Sequence, residues 1–271
     1  MPELPEVETI KNRLIPLLVG RRILKVEFLW PKTLLAPPVT EFNRRVDGRV
    51  IEKLDRRGKY LILCLDSTDV LLVHLRMTGA FLISEDQITI SNKHVRAVMY
   101  LDGEKRLYFI DPRKFGKFQL VSGDSSTLLK LGPEPMSEMF TVQYLVEILA
   151  GRKMPIKALL VVQSMIAGIG NMYADEALYQ ARIHPLRQAE SLSLQDINEL
   201  YVAIRQVLQK AIDSGGASVS DYFHPDGVKG KAQEEFRVAH RRGGNCADCG
   251  GSIMRIVVRQ RGTYLCPKCQ K

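Results

Sequence analysis

Apolar residues near the N-terminus recur at three- and four-residue spacing: Val7, Ile10, Leu14, Leu17 and Leu18 fall on one face of a helix. Pro2 and Pro5 lie at or just before its first turn, and Glu3, Glu6 and Glu8 favour the positive end of its dipole. The period then changes. Residues 22–29, 60–65, 70–76, 95–101, 106–110 and 117–121 are short runs rich in Val, Ile, Leu, Tyr and Phe, several of them separated by turn pairs such as Asp102-Gly103. Short strands with no long helices between them predict an antiparallel sandwich or barrel. Two prolines and a glycine in Leu-Gly-Pro-Glu-Pro mark a boundary at 131–140. Beyond it the period is helical: 142–149, 156–165, and 171–181 after an Ala-Gly-Ile-Gly turn. A long amphipathic helix follows on Leu194, Ile197, Leu200, Ile204, Val207, Leu208, Ala211 and Ile212, ended by Gly215-Gly216. Residues 223–232 have no periodicity and read as a mobile loop. The chain is therefore an α+β protein: a helix, a β-sandwich domain, then a helical domain.

Composition narrows the class. With 271 residues and 45% hydrophobic content, the chain is long enough for one large or two ordinary domains and too apolar to be disordered. No apolar run reaches the roughly 18–20 residues of a membrane span. The opening MPELPEVETI has neither the basic flank nor the apolar stretch of a signal peptide, which leaves the cytosol as the expected compartment. A net charge of +9 fits a polyanionic partner or an anionic membrane surface.

The cysteines change the picture further. Four of the five fall in the last 26 residues as C-x2-C-x16-C-x2-C: Cys246, Cys249, Cys266 and Cys269. That spacing places four thiolates around one Zn²⁺, and β-type residues between the pairs suit a two-stranded zinc finger. Cys64, in an apolar run, reads as a buried structural thiol. From residue 221 onward ten Lys/Arg face five Asp/Glu, so the finger is a candidate phosphate contact as well as a structural clip. In Gln163–Asn171, a glycine turn leads to an Asn at an N-cap position; this is either a plain turn or an anion site of backbone N–H groups. Loss of Met1 would leave Pro2 with a secondary amine. An α-amino group titrates near 8, against about 10.4 for Lys, so far more of it is neutral at pH 7 and able to form a Schiff base. Glu3 and Glu6 stand beside it as proton donors or acceptors. From spacing alone, helix capping by Pro and Glu is the favoured reading and the nucleophile the alternative.

Seven motifs in order carry a family resemblance. They are Pro2-Glu-Leu-Pro-Glu-Val-Glu8, Arg56-Arg-Gly-Lys-Tyr60, His74-Leu-Arg-Met-Thr-Gly79, Asp111-Pro-Arg-Lys-Phe-Gly116, Leu131-Gly-Pro-Glu-Pro135, Gly168-Ile-Gly-Asn-Met-Tyr-Ala-Asp-Glu176 and the cysteine tail. Together they resemble the formamidopyrimidine-DNA glycosylases. The resemblance implies a β-sandwich domain at 1–131, a hinge at 132–140, a helix-two-turn-helix domain at 141–220, a lesion loop and connection at 221–240, and a zinc finger at 241–271. It also implies duplex DNA, containing an oxidised base or abasic site, in the cleft between domains, and a monomeric bacterial repair enzyme held at the nucleoid through DNA.

Position by position, Pro2 resembles the nucleophile at C1′ and Glu3 its acid/base partner at the sugar. Glu6 resembles a support for the N-terminal helix and its bound water. Lys59, His74, Asn171 and Arg261 resemble phosphate contacts. Met77, Arg113 and Phe115 resemble the residues that fill the gap left by an extruded base; without the resemblance Met77 and Phe115 read as ordinary core. The implied reaction is removal of 8-oxoguanine or formamidopyrimidines through an imine on Pro2, then β- and δ-elimination. Leu4, where the pyrimidine-directed endonuclease VIII branch usually has Gly, and the Met77/Arg113/Phe115 set favour the oxidised-purine branch over that alternative. Two other readings are a non-cutting damaged-DNA binder and an RNA-binding zinc-ribbon protein; the last explains the tail but not the N-terminal half. One departure stands out: Val238-Ala-His240 replaces the family's usual Val-Tyr-Gly.

Overall fold

The N-terminal periodicity becomes helix α1 (Leu4–Leu18), which buries Leu4, Val7, Ile10, Leu14 and Leu18 along one side. The computed structural model describes residues 1–84, 92–123, 126–218 and 230–271. The expected loop at 223–232 lies outside them up to residue 229. The chain divides into two compact units: Met1–Leu129 with Gly215–Lys231, and Lys130–Ser214 with Ala232–Lys271.

In the first unit, α1 precedes a sandwich of two sheets. One has the order β1-β7-β8-β6, formed by β1 (Ile23–Phe28), β6 (Ala80–Ser84), β7 (Val95–Leu101) and β8 (Arg106–Ile110). The other has the order β2-β9-β5-β4-β3, from β2 (Leu34–Ala36), β3 (Ile51–Arg57), β4 (Tyr60–Leu65), β5 (Asp69–His74) and β9 (Lys117–Ser122). Pairing is antiparallel except for the short parallel contact of β2 with β9. One apolar cluster draws on α1 and both sheets; Phe109 and Phe118 meet edge-on at its centre, with centroids 4.9 Å apart. Helix α2 (Val39–Val46) adds Phe42 and Val46 to that core.

Two motif glycines are set by this core. A Cβ on Gly116 would lie 2.3 Å from Phe109 Cζ, and one on Gly79 would lie 2.5 Å from the Leu75 carbonyl oxygen. Neither position has room for a side chain.

The second unit holds α4 (Val142–Leu149), α5 (Ile156–Leu160), α6 (Asn171–Gln180) and α7 (Leu194–Asp213), then the hairpin β10 (Met254–Val258) and β11 (Arg261–Leu265); a short α3 (Ser126–Leu129) ends the first unit's opening segment. Helix α7 starts in a capping box between Ser193 and Asp196 and buries Ile197, Leu200, Ile204 and Leu208.

Several elements differ from the sequence expectation. The helix expected over 156–165 stops at Leu160, and Gln163 stitches the turn that follows: its Oε1 accepts from Gly168 N at 3.0 Å and its Nε2 donates to Ile169 O at 2.8 Å. The strand expected to reach Arg76 ends at His74, because Arg76 takes a left-handed φ of 56°. β2, α2, β3 and β6 have no counterpart in the hydrophobic pattern. β3 reads IEKLDRR, with only Ile51 and Leu54 buried.

Candidate functional site

Pro2 is buried immediately ahead of α1, and Glu3 is that helix's N-cap. Glu3 and Glu6 form a capping box, with Glu3 N donating to Glu6 Oε2 at 2.7 Å. The other oxygen of Glu6 accepts from Ala217 N at 2.8 Å. Gly216, at φ 72°, lies against Glu6, where an added Cβ would sit 3.1 Å from Glu6 Cα. Glu6 thus joins the start of the chain to the segment that follows α7. Both carboxylates are buried.

Lys59 stands with Gly58 at the two-residue turn between β3 and β4, where Arg57 pairs with Tyr60. Gly58 supplies the positive φ of 58° such a turn requires. Arg56 anchors the turn, donating to Glu8 of α1 at 2.6 Å and to Gly58 O at 3.1 Å. Lys59 is buried to 5% exposure, which a surface lysine at a hairpin tip is not.

His74 lies across from Tyr60 in the β4–β5 register, with the two rings edge-on at 4.7 Å. Its Nδ1 accepts from Arg76 N at 2.9 Å, so the neutral ring carries its proton on Nε2. Burial, reinforced by the charges of Arg76 and Lys59, lowers its pKa to about 3. The ring is a neutral N–H donor throughout the physiological range.

Met77, Arg113 and Phe115 come together on two stitched loops. Asp111, fully buried, accepts from Thr78 Oγ1, from Arg113 N at 3.2 Å and from Gly116 N at 2.7 Å. Arg113 N also reaches Thr78 Oγ1 at 3.4 Å. The apolar tips project outward: Met77 is 43% and Phe115 46% exposed, with the Arg113 guanidinium 5.0 Å from the Phe115 ring. The core assignment that these two residues receive from pattern alone is therefore incorrect.

In the second unit, Asn171 is the first residue of α6 and Gly170 its N-cap, one position earlier than expected. Asn171 Nδ2 donates to Gly262 O at 2.8 Å, and its Oδ1 is buried with no partner among the described residues. Arg261 is exposed at the start of β11, directly after a two-residue turn in which Arg259 and Gln260 hold φ of 45° and 64°. Non-glycine residues at both positions of such a turn are strained.

The helix and finger are locked by charges that the sequence did not single out. Lys157 and Asp175, each 1% exposed, form an ion pair. Lys157 also donates to Thr263 Oγ1 at 3.3 Å, and Asp175 accepts from Tyr264 N at 3.1 Å. Burial pushes the Asp175 carboxyl up to about 7 against the pull of Lys157. Glu176 accepts from the N–H groups of Arg237, Val238 and Ala239 at 2.9, 2.9 and 2.7 Å. The next residue, His240, has φ of 61°. The glycine of the usual family pattern meets that demand without strain, and His240 here meets it while resting 5.5 Å from the Tyr264 ring.

The Sγ atoms of Cys246, Cys249, Cys266 and Cys269 all lie within 4.8 Å of one another, with pairs at 3.7 and 3.5 Å. A tetrahedral thiolate site with Zn–S near 2.3 Å separates its sulfurs by about 3.8 Å. The geometry fits one structural zinc with these four ligands. Cys64, by contrast, is half-buried on β4, with its thiol pushed up by burial.

Comparisons with known proteins agree with this architecture. Family models of the formamidopyrimidine-DNA glycosylase N-terminal domain, the formamidopyrimidine-DNA glycosylase H2TH domain and the zinc finger found in FPG and IleRS match residues 1–118, 131–222 and 243–271. The formamidopyrimidine-DNA glycosylase of Chloroflexus aurantiacus is 48% identical over 100% of this chain and 98% of its own. That of a Roseiflexus species is 43% identical over the full length of both. Among solved structures, Lactococcus lactis Fpg with abasic-site DNA has a TM-score of 0.93 at 36% identity, covering 99% of each chain. The MutM (Fpg) protein of Thermus thermophilus has a TM-score of 0.90 at 41% identity, over 99% of this chain and 98% of its own. The chain belongs to the formamidopyrimidine-DNA glycosylase family. Among the described residues no helix is long and apolar enough to cross a membrane.

Two expectations follow. The His74 imidazole takes its proton near the ordinary 6.5 in the unfolded chain but only near 3 in the fold. Stability from this group is therefore full above pH 6.5 and falls as pH drops from 6.5 toward 3, with a limiting slope of about 1.4 kcal/mol per pH unit. Urea unfolding at pH 7, 6, 5 and 4 should show His74→Gln losing less stability on acidification than the parent; equal losses would contradict the assignment. Lys157→Met should cost about 3–5 kcal/mol by leaving Asp175 buried without its cation. Adding Asp175→Leu should recover much of that loss, short of the unpaired Tyr264 N–H; a single variant as stable as the parent would show the pair to be of no consequence.

Proposed function

We propose that this chain is a bifunctional DNA glycosylase and abasic-site lyase that excises oxidised purines from duplex DNA. The observation that carries the reading is the outward exposure of Met77 and Phe115 on loops tied to one buried carboxylate. A folded chain gains nothing for its own stability by exposing both. An enzyme that works on C1′ must take the nucleotide out of the stack, and apolar side chains entering the gap offset that cost. Arg113, stacked on Phe115, is placed to face the orphaned base.

The chemistry begins with removal of Met1, which frees the Pro2 nitrogen. That nitrogen attacks C1′ while the bond from C1′ to the base breaks and the base leaves with a proton. Glu3 handles the proton at the sugar as the ring opens, leaving an imine. Loss of a proton from C2′ expels the 3′ phosphate, and a second elimination expels the 5′ phosphate. Lys59, His74, Asn171 and Arg261 hold phosphates; His74 does so as a neutral donor, so its contact needs no acid. The protein works as a monomer and gathers on the nucleoid through its affinity for DNA. Relatives support this reading: the Lactococcus lactis enzyme has been solved with abasic-site DNA, and a mutant of it with Fapy-dG DNA. It has also been solved with an oxidised pyrimidine, which keeps pyrimidine lesions as a second substrate class.

Borohydride reduction with an 8-oxoguanine:C duplex should leave a DNA remnant on the N-terminal peptide, located by mass spectrometry. Pro2→Gly should bind the duplex yet lose most base release. Absence of any adduct from protein lacking Met1 would overturn the reaction, and faster excision of an oxidised pyrimidine would reverse the substrate preference. Arg261→Ala should weaken binding to all duplexes and reduce the slope of log affinity against log salt by about one. An unaltered slope would remove Arg261 from the phosphate contacts.

A further inference from the structure

The chain has a single tryptophan, Trp30, and it lies against the loop that presents Arg113 and Phe115. Lys114, the residue between those two, has its ammonium 4.2 Å from the Trp30 ring centroid. Its backbone is left-handed, with φ of 61°. A long side chain with a Cβ holds that conformation only where its surroundings compensate, and an indole face is the strongest aromatic seat for an ammonium. Trp30 is itself fixed. Its backbone N–H donates to Arg96 O at 3.1 Å, and the guanidinium of buried Arg96 donates to Asp111 O at 2.7 Å and Pro112 O at 3.5 Å. On the other side, Thr33 N donates to Trp30 O at 2.9 Å and Lys117 Nζ to Lys32 O at 2.5 Å. The loop is thus held from beneath by Asp111 and gripped at its middle residue by Trp30.

We propose that Trp30 is a positioning residue for base extrusion: by seating Lys114 it holds the 111–116 loop in the shape that presents Arg113 and Phe115 to the duplex. The inference rests on the reading of that loop as the gap-filling element. Trp30 acts through Lys114, so its effect falls on the step that empties the stack and not on the imine chemistry. An abasic site has no base to unstack and makes no such demand.

The test uses the full-length protein and two duplexes, one with 8-oxoguanine opposite C and one with an abasic site. Lys114→Met keeps the side-chain stem, lies on the surface, and removes the charge. It should lower kcat for 8-oxoguanine release about threefold, leave KM within twofold, and leave abasic-site cleavage unchanged. Trp30→Leu should do the same, and the double variant should be no slower than either single one, because each removes the same contact. Trp30→Phe and Lys114→Arg, which keep the π face and the charge, should stay within twofold of the parent. In the protein without DNA, Lys114→Met should shift the emission of the sole indole.

Additive losses, equal losses on both duplexes, or an indole emission indifferent to Lys114→Met would each overturn the proposal. A parent protein that forms no adduct on the abasic duplex would instead overturn the enzymatic reading, and the DNA-free emission measurement would still decide whether the seat exists. If Trp30→Leu fails to fold, the Lys114 variants alone decide.

Discussion

Irregular backbone buried away from water must still satisfy its N–H groups, and this protein meets that constraint with buried carboxylates. Glu6 accepts from Glu3 N and Ala217 N, Asp111 from Arg113 N and Gly116 N, Asp175 from Tyr264 N, and Glu176 from three successive N–H groups at 237–239. Three of these acids stand behind a segment that carries candidate chemistry: the chain start, the Arg113–Phe115 loop, and the finger strand that begins at Arg261; Glu176 holds the backbone at 237–239 ahead of the finger. An apolar residue in any of the four places would leave donors unpaired, at about 1–3 kcal/mol each. The acids also explain how a chain of net charge +9 keeps its functional loops stiff. Among the described residues the lysines and arginines other than Lys59, Arg96 and Lys157 keep some exposure, available to a polyanion, while these four carboxylates turn inward to hold the backbone.

The two units apply this device to different scaffolds. In the first, a sandwich core of interlocking phenylalanines sets the position of two loops so closely that Gly79 and Gly116 have no space for a Cβ. The loops can then expose Met77 and Phe115 without collapsing onto the core. In the second, the finger is too small to bury much apolar surface, and its cluster of Val238, Ile253, Cys246 and Cys266 closes only with Tyr179 from α6. Zinc and the Lys157–Asp175 pair supply the rest. A metal site orders the hairpin, and the pair joins the ordered hairpin to the helix whose first residue is Asn171.

Much of the architecture was legible because hydrophobic period is a local property. α1, α7, β4, β7 and β8 fall where the spacing of apolar residues places them. The failures have physical causes. β3 is too polar to announce itself: as an edge strand it buries only Ile51 and Leu54, and its ladder with β4 holds it in the sheet more than its own side chains do. The helix from Ile156 ends early because the Gln163 amide offers the backbone a competing set of hydrogen bonds. The buried ion pair gave no signal at all, since Lys157 and Asp175 look like any surface charges until the fold removes them from water.

By itself the sequence determined what depends on residue type and near neighbours. That includes the zinc ligands at their fixed spacing, the capping acids next to Pro2, the succession of a helix, a strand-rich domain and a helical domain, and, through seven ordered motifs, the family. Only the tertiary structure decided which residues face outward and which charges are buried, because exposure and desolvation belong to the whole packed chain. It turned Met77 and Phe115 from candidate core into exposed tips. It made His74 a neutral donor by enclosing it beside two cations. And it brought Trp30, more than eighty positions away in the chain, against the one lysine between Arg113 and Phe115.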